Sequence, residues 1–455
     1  MTKPIGTESY QIPTNGDLGT LAYQDAESPV LGAIASQITS TSNKRPSIIL
    51  DFANSRYMPP QVTFWRKSGG TFINKAGRLE YVGPGTPRFN HNIVTGECEG
   101  LLMEPTAVNY QPYGNLQTLN GSANVTITSG VTGVDGKTSA IRVQYNASGN
   151  SWVQPSMTNI TSAGTYTVSV WIRRIQGLPS NSSFMYQGAG VSAVAGSETQ
   201  MTPENFPIGQ WRRWKGQYVL GVNSSTNFVL PGYDAGAGVI VEYSCLQIEA
   251  GDVATSYIPT TGAVATRQYD YCWVSSMNPY DSTSLGNALP SSSLDTFDWF
   301  NEAEGTWYAD AYTNQTSSDP MIVEGGTYAD GAGAFNVYSL TFAISASSTI
   351  QWINRKLSSD NDLRSEVGYV TPGRRIKMCA TYTSTTVGEE QTLLAYDGNL
   401  KKVSSGNQPA SSSAALKHFI GCRSGSNSLI LNGCIRKLAY YPTALSSDEI
   451  VEMTK

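Results

Sequence analysis

Apolar and polar residues alternate in short runs along the middle of the chain. The runs 124–128, 140–145 and 164–173 place apolar side chains at every second position, and Gly, Asn or Ser residues separate them. This period is typical of a strand with one buried face, and several such strands at short spacing indicate a β-sandwich. The sequence therefore predicts a β-sandwich over residues 112–264.

A second set of alternating runs follows, and it predicts a further sandwich over residues 265–455. Its clearest runs are 305–312, 335–342, 376–382 and 392–398. Near its end, Ser446 is placed to cap a short helix, and acidic residues in the first turn would interact favourably with the helix dipole. We expect this sandwich to close with a last strand and a helical turn.

Residues 1–45 show no such alternation. They mix small apolar groups with turn formers and are too poor in large apolar residues to build a core. We expect an extended anchor segment that needs a partner, with a disordered leader as the alternative. The predicted fold class is therefore all-β, with tandem jelly-roll β-sandwiches preceded by an extended N-terminal anchor segment.

Residues 46–111 are dense in large apolar side chains, but turn formers such as Pro59-Pro60 and Gly69-Gly70 break them into short pieces. A piece of this kind has difficulty closing a core of its own. The sequence predicts a β-rich connector that packs against copies of itself about a symmetry axis.

Composition excludes several classes of protein. Only 14% of the residues are charged, the formal net charge is -5, and no run of Lys or Arg supplies a basic patch, so nucleic acid is not an expected partner. No apolar stretch approaches a membrane span, and the first residues lack the apolar core of a secretory signal. We expect a protein made and kept soluble in a cytoplasm.

The metal-ligating and acidic residues do not form a recognisable reactive site. Two histidines and six scattered cysteines without a Cys-x-x-Cys pair argue against zinc and favour reduced thiols. The loop 360–362 offers oxygen ligands for calcium but lacks the remaining spacing of a known calcium loop. Glu302 and Glu304 share a strand face, which superficially suits hydrolysis by two carboxylates, but solvated acids at the entry to a strand are the ordinary explanation. We expect no cofactor and no enzymatic activity.

Aromatic residues near turns are candidates for sugar contact, because an aromatic face can stack on a pyranose ring while nearby amides bind its hydroxyls. The alternative is that Trp171, Trp211 and Trp214 fill the core. The candidates are Trp152, Tyr186, Trp211, Trp214 and Tyr233.

Two blocks of sequence resemble bacteriophage virion proteins. One is the segment 255–267, Thr-Ser-Tyr-Ile-Pro-Thr-Thr-Gly-Ala-Val-Ala-Thr-Arg. The other runs over 50–109 and includes Val-Thr-Phe-Trp-Arg at 62–66, Pro-Arg-Phe at 87–89 and Gly-Leu-Leu-Met-Glu-Pro at 100–105. Tail-fibre and other phage appendage proteins often carry the first kind of block at the end of a sugar-binding-like module and the second kind before that module.

The sandwiches carry resemblances of their own. The runs 165–171, 210–214 and 241–249 are similar to the strands of jelly-roll carbohydrate-binding modules, and the close at 439–450 resembles concanavalin-like lectin/glucanase (laminin-G-like) domains. The glucanase pattern of three acids on a concave strand is absent.

These resemblances imply a tail fibre or head fibre located in the virion and assembled in the bacterial host cytoplasm. Because phage fibres of this kind are commonly trimeric, they also imply a homotrimer. The N-terminus would attach to tail or capsid proteins, and the lectin-like domains would bind host-surface glycans weakly and multivalently. A decoration protein without sugar binding and a polysaccharide depolymerase are the alternatives. The anchor contacts would come from Ile12, Leu18, Leu21 and Tyr23.

Overall fold

A computed structural model shows a protein built almost entirely of antiparallel β-strands. The residues that the structure describes are 44–60, 62–156, 160, 162–180, 186–187, 190–221, 227–274, 299–301, 304–315, 319–327, 335–343, 349–354, 363–367, 370–383, 392–403, 416–423 and 429–455. The all-β prediction is confirmed.

The regular elements are as follows in chain order. Those up to residue 109 are β1 (Ile48–Leu50), α1 (Phe52–Ser55), β2 (Val62–Trp65), β3 (Gly70–Ile73), β4 (Leu79–Val82), β5 (Phe89–His91), β6 (Cys98–Met103) and β7 (Ala107–Asn109). Those from 119 to 250 are β8 (Leu119–Ala123), β9 (Val125–Val131), β10 (Ala140–Tyr145), β11 (Trp152–Pro155), β12 (Gly164–Gln176), β13 (Tyr186–Gln187), β14 (Val191–Ala193), β15 (Trp211–Leu220), β16 (Asn227–Phe228) and β17 (Ile240–Ala250). Those from 265 onwards are β18 (Ala265–Arg267), β19 (Tyr271–Val274), β20 (Glu304–Thr313), β21 (Met321–Thr327), β22 (Phe335–Ala343), β23 (Thr349–Asn354), β24 (Leu363–Val367), β25 (Ile376–Thr383), β26 (Thr392–Tyr396), β27 (Asn399–Val403), β28 (Leu416–Ile420), β29 (Gly433–Tyr441) and α2 (Ser447–Thr454).

The first sandwich is centred on a six-stranded antiparallel sheet in the order β14-β15-β12-β17-β10-β9. Its inner face buries alternate residues of each strand, for example Val168 and Val170 on β12. Two short sheets, β8–β11 and β13–β16, contribute Val153 and Phe228 to the same core. The period-two pattern of the sequence therefore corresponds to real inward-facing positions.

The second sandwich has two larger sheets. One runs β27-β26-β25-β20-β29-β6-β5, with β1 also pairing to β29, and the other runs β2-β19-β28-β21-β22-β23-β24. Its core includes Trp307 from the first sheet and Leu340 from the second. Antiparallel sheets with one apolar face pack together in this way because each buries that face against the other.

Residues 46–111 belong largely to this second sandwich, which corrects the sequence-based boundary. Leu102 of β6 lies opposite Cys434 of β29, and β2 pairs with β19. Phe52, Leu101 and Met103 are fully buried in its core. The short strands find their partners far along the same chain, so these apolar side chains already have a core, and the self-association prediction loses its original basis.

The close of the second sandwich matches its prediction. The Ser446 hydroxyl accepts a hydrogen bond from the Glu449 backbone, and the Glu449 side chain accepts one from the Ser446 backbone. This capping box begins α2, and Ile450 of the helix packs on Tyr308 and Tyr441 at the outer face of the sheet. Within the described residues, no helix is both long and apolar enough to cross a membrane.

Candidate binding site at the junction of the two sandwiches

A buried network of ion pairs joins the sequence blocks on either side of the first sandwich. Asp270 accepts hydrogen bonds from Arg66 at 3.0 Å and from Arg88 at 2.5 Å. Glu104 lies 2.7 Å from Arg88 and 2.9 Å from Arg267. Each of these side chains is nearly or completely excluded from solvent, so every charge in the network depends on its neighbours.

Glu104 occupies the centre of the network. The backbone NH of Ser256 donates to it at 2.6 Å and the Ser256 hydroxyl donates at 2.7 Å. Burial alone would raise the pKa of Glu104, but Arg267, Arg88 and Ser256 together lower it to about 2. The two blocks that resemble phage proteins therefore meet at this carboxylate, one contributing Arg88 and Glu104 and the other Ser256 and Arg267.

A β-hairpin, β3–β4, covers part of the outer face of the six-stranded sheet. Ile73 and Leu79 of the hairpin cluster with Trp171 and Tyr257. The Thr71 hydroxyl also donates to the Tyr257 carbonyl at 2.6 Å. This contact brings the second sandwich against the first and leaves a cavity beside it.

The cavity has a volume of about 290 Å³ and lies between the two sandwiches. One wall is the outer face of the six-stranded sheet, where Trp171 and Arg213 project. The facing wall comes from β5, β6 and β20. That wall includes Asn90, His91, Asn92, Glu99 and Tyr312. The volume is near the lower end of the range for small-molecule sites.

Glu99 organises the second wall. Its carboxylate accepts hydrogen bonds from Asn90 at 2.7 Å, from the Tyr312 hydroxyl at 2.9 Å and from Asn92 at 3.2 Å. The other amide oxygens are also engaged, since Asn90 accepts from the Ile73 backbone and Asn92 from two backbone NH groups of its own turn. This wall is thus a set of polar groups fixed before any ligand arrives.

His91 adds an acceptor to the same wall. It is only 5% exposed, and its Nδ1 lies 3.2 Å from the Ile73 carbonyl oxygen. A carbonyl can only accept, so Nδ1 carries a proton, and in the neutral imidazole Nε2 is then the acceptor. That Nε2 is buried and has no partner among the residues the structure describes.

The wall of the six-stranded sheet carries alternating Trp and Arg residues. Trp171 lies directly opposite Arg213, and Arg173 lies opposite Trp211 in the next outward-facing pair. The Arg173 guanidinium stacks 4.7 Å from the centroid of the Trp211 ring. Two Trp-x-Arg sequences on antiparallel strands therefore form a four-residue checkerboard.

Arg213 and Trp171 both present unsatisfied donors. Arg213 donates to the Ser169 hydroxyl at 2.8 Å, but its buried Nε has no partner in the described part of the chain. Burial lowers the pKa of Arg213 although Glu249 and Glu104 act in the opposite sense. Trp171 is 5% exposed and its buried Nε1 likewise lacks a described partner. Buried polar groups left unpaired cost free energy that a ligand can recover.

The structure separates the residues predicted for sugar contact. Trp211 is half-buried and packs against the cluster beside the cavity. Trp214 is 0% exposed and belongs to the core, which agrees for this residue with the alternative that the tryptophans fill the core. Trp152 and Tyr233 are half-buried in the other layer of the first sandwich. Tyr186 lies in β13, paired with Phe228.

Other predicted residues lie elsewhere. Glu304 accepts a hydrogen bond from the Ala444 backbone at 3.2 Å, which gives it a local structural role. The anchor residues, Glu302 and the candidate calcium loop lie outside the described residues; they are Ile12, Leu18, Leu21, Tyr23, Glu302, Asp360, Asn361 and Asp362.

Sequence reasoning missed the polar wall of the cavity. Asn90, His91 and Asn92 fall within a block noticed for its resemblance alone, and nothing local shows that they face a distant sheet. The repeated Trp-x-Arg pattern at 171–173 and 211–213 was a usable signal, because two residues that are two apart on a strand share one face.

Comparison with known proteins gives only weak similarities. No family model and no curated protein matches. The CBM40 of Ruminococcus gnavus IT-sialidase bound to α2,3-sialyllactose is 15% identical, covering 34% of this chain and 83% of that one, with a TM-score of 0.30. A Trypanosoma rangeli sialidase complex is 17% identical, covering 33% of this chain and 22% of that one, with a TM-score of 0.25. Similarities at this level do not identify a ligand or an activity.

Proposed function

We propose that the chain is a phage virion appendage protein, a tail fibre or head fibre, which binds host-surface glycans in the cavity between its two sandwiches. The observation that carries the glycan-binding part is the cavity itself. It combines a pre-arranged polar wall around Glu99 with the unsatisfied donors of Trp171 and Arg213.

This set of groups suits a sugar. A pyranose presents several hydroxyls, each of which can donate and accept, and it needs both kinds of partner close together. Here His91 Nε2 can accept, and Arg213 Nε and Trp171 Nε1 can donate. Glu99 and its two asparagines hold the opposite wall in position.

The virion part of the proposal rests on the two sequence blocks, 50–109 and 255–267, that resemble phage appendage proteins. Their meeting at Glu104 supports treating them as one structural unit that joins the two sandwiches. Attachment through residues 1–45, to tail or capsid proteins, and assembly as a trimer belong to the same proposal. The trimer rests on the resemblance to phage fibres alone, because the apolar residues of 46–111 pack within the second sandwich. Three weak sites on one fibre would raise avidity without strong binding at any one site.

A glycan array probed with the intact oligomer tests sugar binding. Wild type should bind a defined set of glycans, and Glu99→Gln should weaken that binding about tenfold by removing the charge that the two asparagines and Tyr312 share. Glu97→Gln is the matched control, because Glu97 is exposed in the neighbouring turn. Equal loss in both variants, or none in either, would place the site elsewhere.

The two alternatives give different results. A decoration protein would leave the array empty while still being present on purified particles. A depolymerase would release reducing ends from host polysaccharide, an activity we do not expect.

Deleting residues 1–45 tests attachment. The truncated chain should remain a folded β-protein but be absent from purified virions. Normal occupancy after the deletion would contradict the anchor.

A further inference from the structure

The ion-pair network beneath the cavity contains more cations than anions, and the carboxyl groups of Glu249 and Glu99 lie outside that network. The ion-pair network sets three guanidinium groups against two carboxylates, those of Glu104 and Asp270. Arg213 adds a further cation close to this network, since both Glu104 and Arg267 influence it electrostatically.

Among the acidic residues, Glu249 raises the pKa of Arg213 most strongly, but the two side chains do not form an ion pair. Among the described residues, no carboxylate oxygen lies within 4.0 Å of the Arg213 guanidinium. Glu249 instead accepts a hydrogen bond from the Thr255 backbone at 3.0 Å and another from the Thr255 hydroxyl. Burial raises the pKa of Glu249 even though Arg213 opposes this. The guanidinium at the cavity wall thus remains without a close anion.

The two walls of the cavity differ in character. The sheet wall presents two side-chain donors, the Nε–H groups of Arg213 and Trp171, which project from directly opposed positions. Glu104 also lines the cavity, but Arg88 and Arg267 pair with its charge. The facing wall carries the acceptor of His91 and the carboxylate of Glu99, which would repel an anion but accept hydroxyl protons. A ligand with an acidic group at one end and hydroxyls at the other matches both walls.

From this polarity we propose that the cavity takes a carboxylate-bearing sugar, such as a hexuronate residue of a surface polysaccharide. Its carboxylate accepts from Arg213 and Trp171, and its ring hydroxyls face His91 and Glu99. The volume of about 290 Å³ suits one sugar residue rather than a long oligosaccharide. This inference rests on the proposed glycan binding and specifies its ligand class.

Matched sugar pairs test the charge requirement on the full-length protein. Methyl β-glucuronide and methyl β-glucoside differ only in a carboxylate against a hydroxymethyl group, as do the corresponding galacturonide and galactoside. In calorimetric titrations, at least one uronide should bind about tenfold or more tightly than its neutral partner, because hydrogen bonds to a charged group exceed those to a neutral one.

Substitutions then assign the preference to a residue. Arg213→Gln should abolish the uronide preference, and Arg213→Lys should retain part of it as a point charge. Arg212→Gln is the control, since Arg212 makes the same charge change on the same strand but does not line the cavity. Circular dichroism checks that each variant is folded.

The outcomes separate this inference from the proposed function. If array glycans bind but none requires a carboxylate, or if uronide and neutral sugar bind equally, the inference is overturned while glycan binding stands. An empty array together with no binding of any sugar overturns both. A uronide preference that survives in Arg213→Gln overturns the assignment to Arg213, and the wild-type sugar comparison remains decisive even if that variant fails to fold.

Discussion

Two buried arginines at the junction of the sandwiches illustrate different uses of buried charge. Arg88 lies between Asp270 and Glu104, whose attraction outweighs burial and raises its pKa. Arg213 has no such partner among the described residues, and burial lowers its pKa. The first arrangement holds the junction together, whereas the second leaves a donor facing a cavity. Arg88 Nε and Arg213 Nε both lack a described hydrogen-bond partner, so the difference between the two arginines is the ion pairing. A buried charge with an ion-pair partner stabilises the junction, and a buried charge without one is a candidate for binding.

The largest expected effect comes from removing Arg88, which pairs with both carboxylates of the buried network. Arg88→Met leaves both Asp270 and Glu104 short of a partner in the interior, and this should lower the free energy of unfolding by about 3–5 kcal/mol. Urea denaturation provides the measurement. Arg213→Met is the matched comparison and should stay within about 1 kcal/mol of wild type. Equal losses in the two variants would erase the distinction drawn between the arginines.

The pH dependence of stability should also follow the network. The pKa of Glu104 falls from 4.5 to about 2 in the folded chain, so its contribution is present above pH 4.5 and is lost as the pH falls toward 2. The difference in unfolding free energy between wild type and Glu104→Gln should be about 3 kcal/mol at pH 7 and shrink below pH 4.5.

Glu97→Gln serves as the control for that titration, because an exposed carboxylate should give almost no difference at any pH. A Glu104→Gln difference that stays constant from pH 7 to pH 3 would show that charge at Glu104 does not stabilise the junction.

The smallest expected effect concerns Trp211, which packs on the cluster beside the cavity but does not line the cavity. Trp211→Ala removes the ring on which Arg173 stacks and should cost about 0.5–1 kcal/mol of stability, with at most a small loss of uronide affinity. Trp152→Ala should leave that affinity unchanged, since Trp152 lies in the other layer of the sandwich. The reverse pattern, with Trp152 essential and Trp211 dispensable, would move the sugar site to that layer.

The sequence predicted what depends on local patterns. Alternation gave the strands, and the Ser446 capping box was readable because all its partners lie within one turn. The prediction treated Trp211 and Trp214 alike, although residues three apart on a strand point to opposite faces and this parity could have separated them. One of them lies in the core, and the other lies beside the cavity.

What the sequence did not predict depends on distant partners. The pairing of β6 with β29 joins segments separated by most of the chain, and no local pattern specifies it. The same holds for the cavity, whose walls bring Glu99 and Tyr312 opposite Trp171 and Arg213. In the sequence, the residues of the ion-pair network have the local pattern of turns and strand ends. Only the fold shows that they contact one another.

The central claim is that the unsatisfied groups between the sandwiches bind a sugar, and a crystal structure of the full chain with methyl β-glucuronide or the matching galacturonide tests it most directly. We expect the sugar in the cavity, with its carboxylate within hydrogen-bonding distance of Arg213 Nε and its hydroxyls facing Glu99. A sugar bound only at another surface, for example beside Trp152 and Tyr233, with the cavity empty, would contradict the claim.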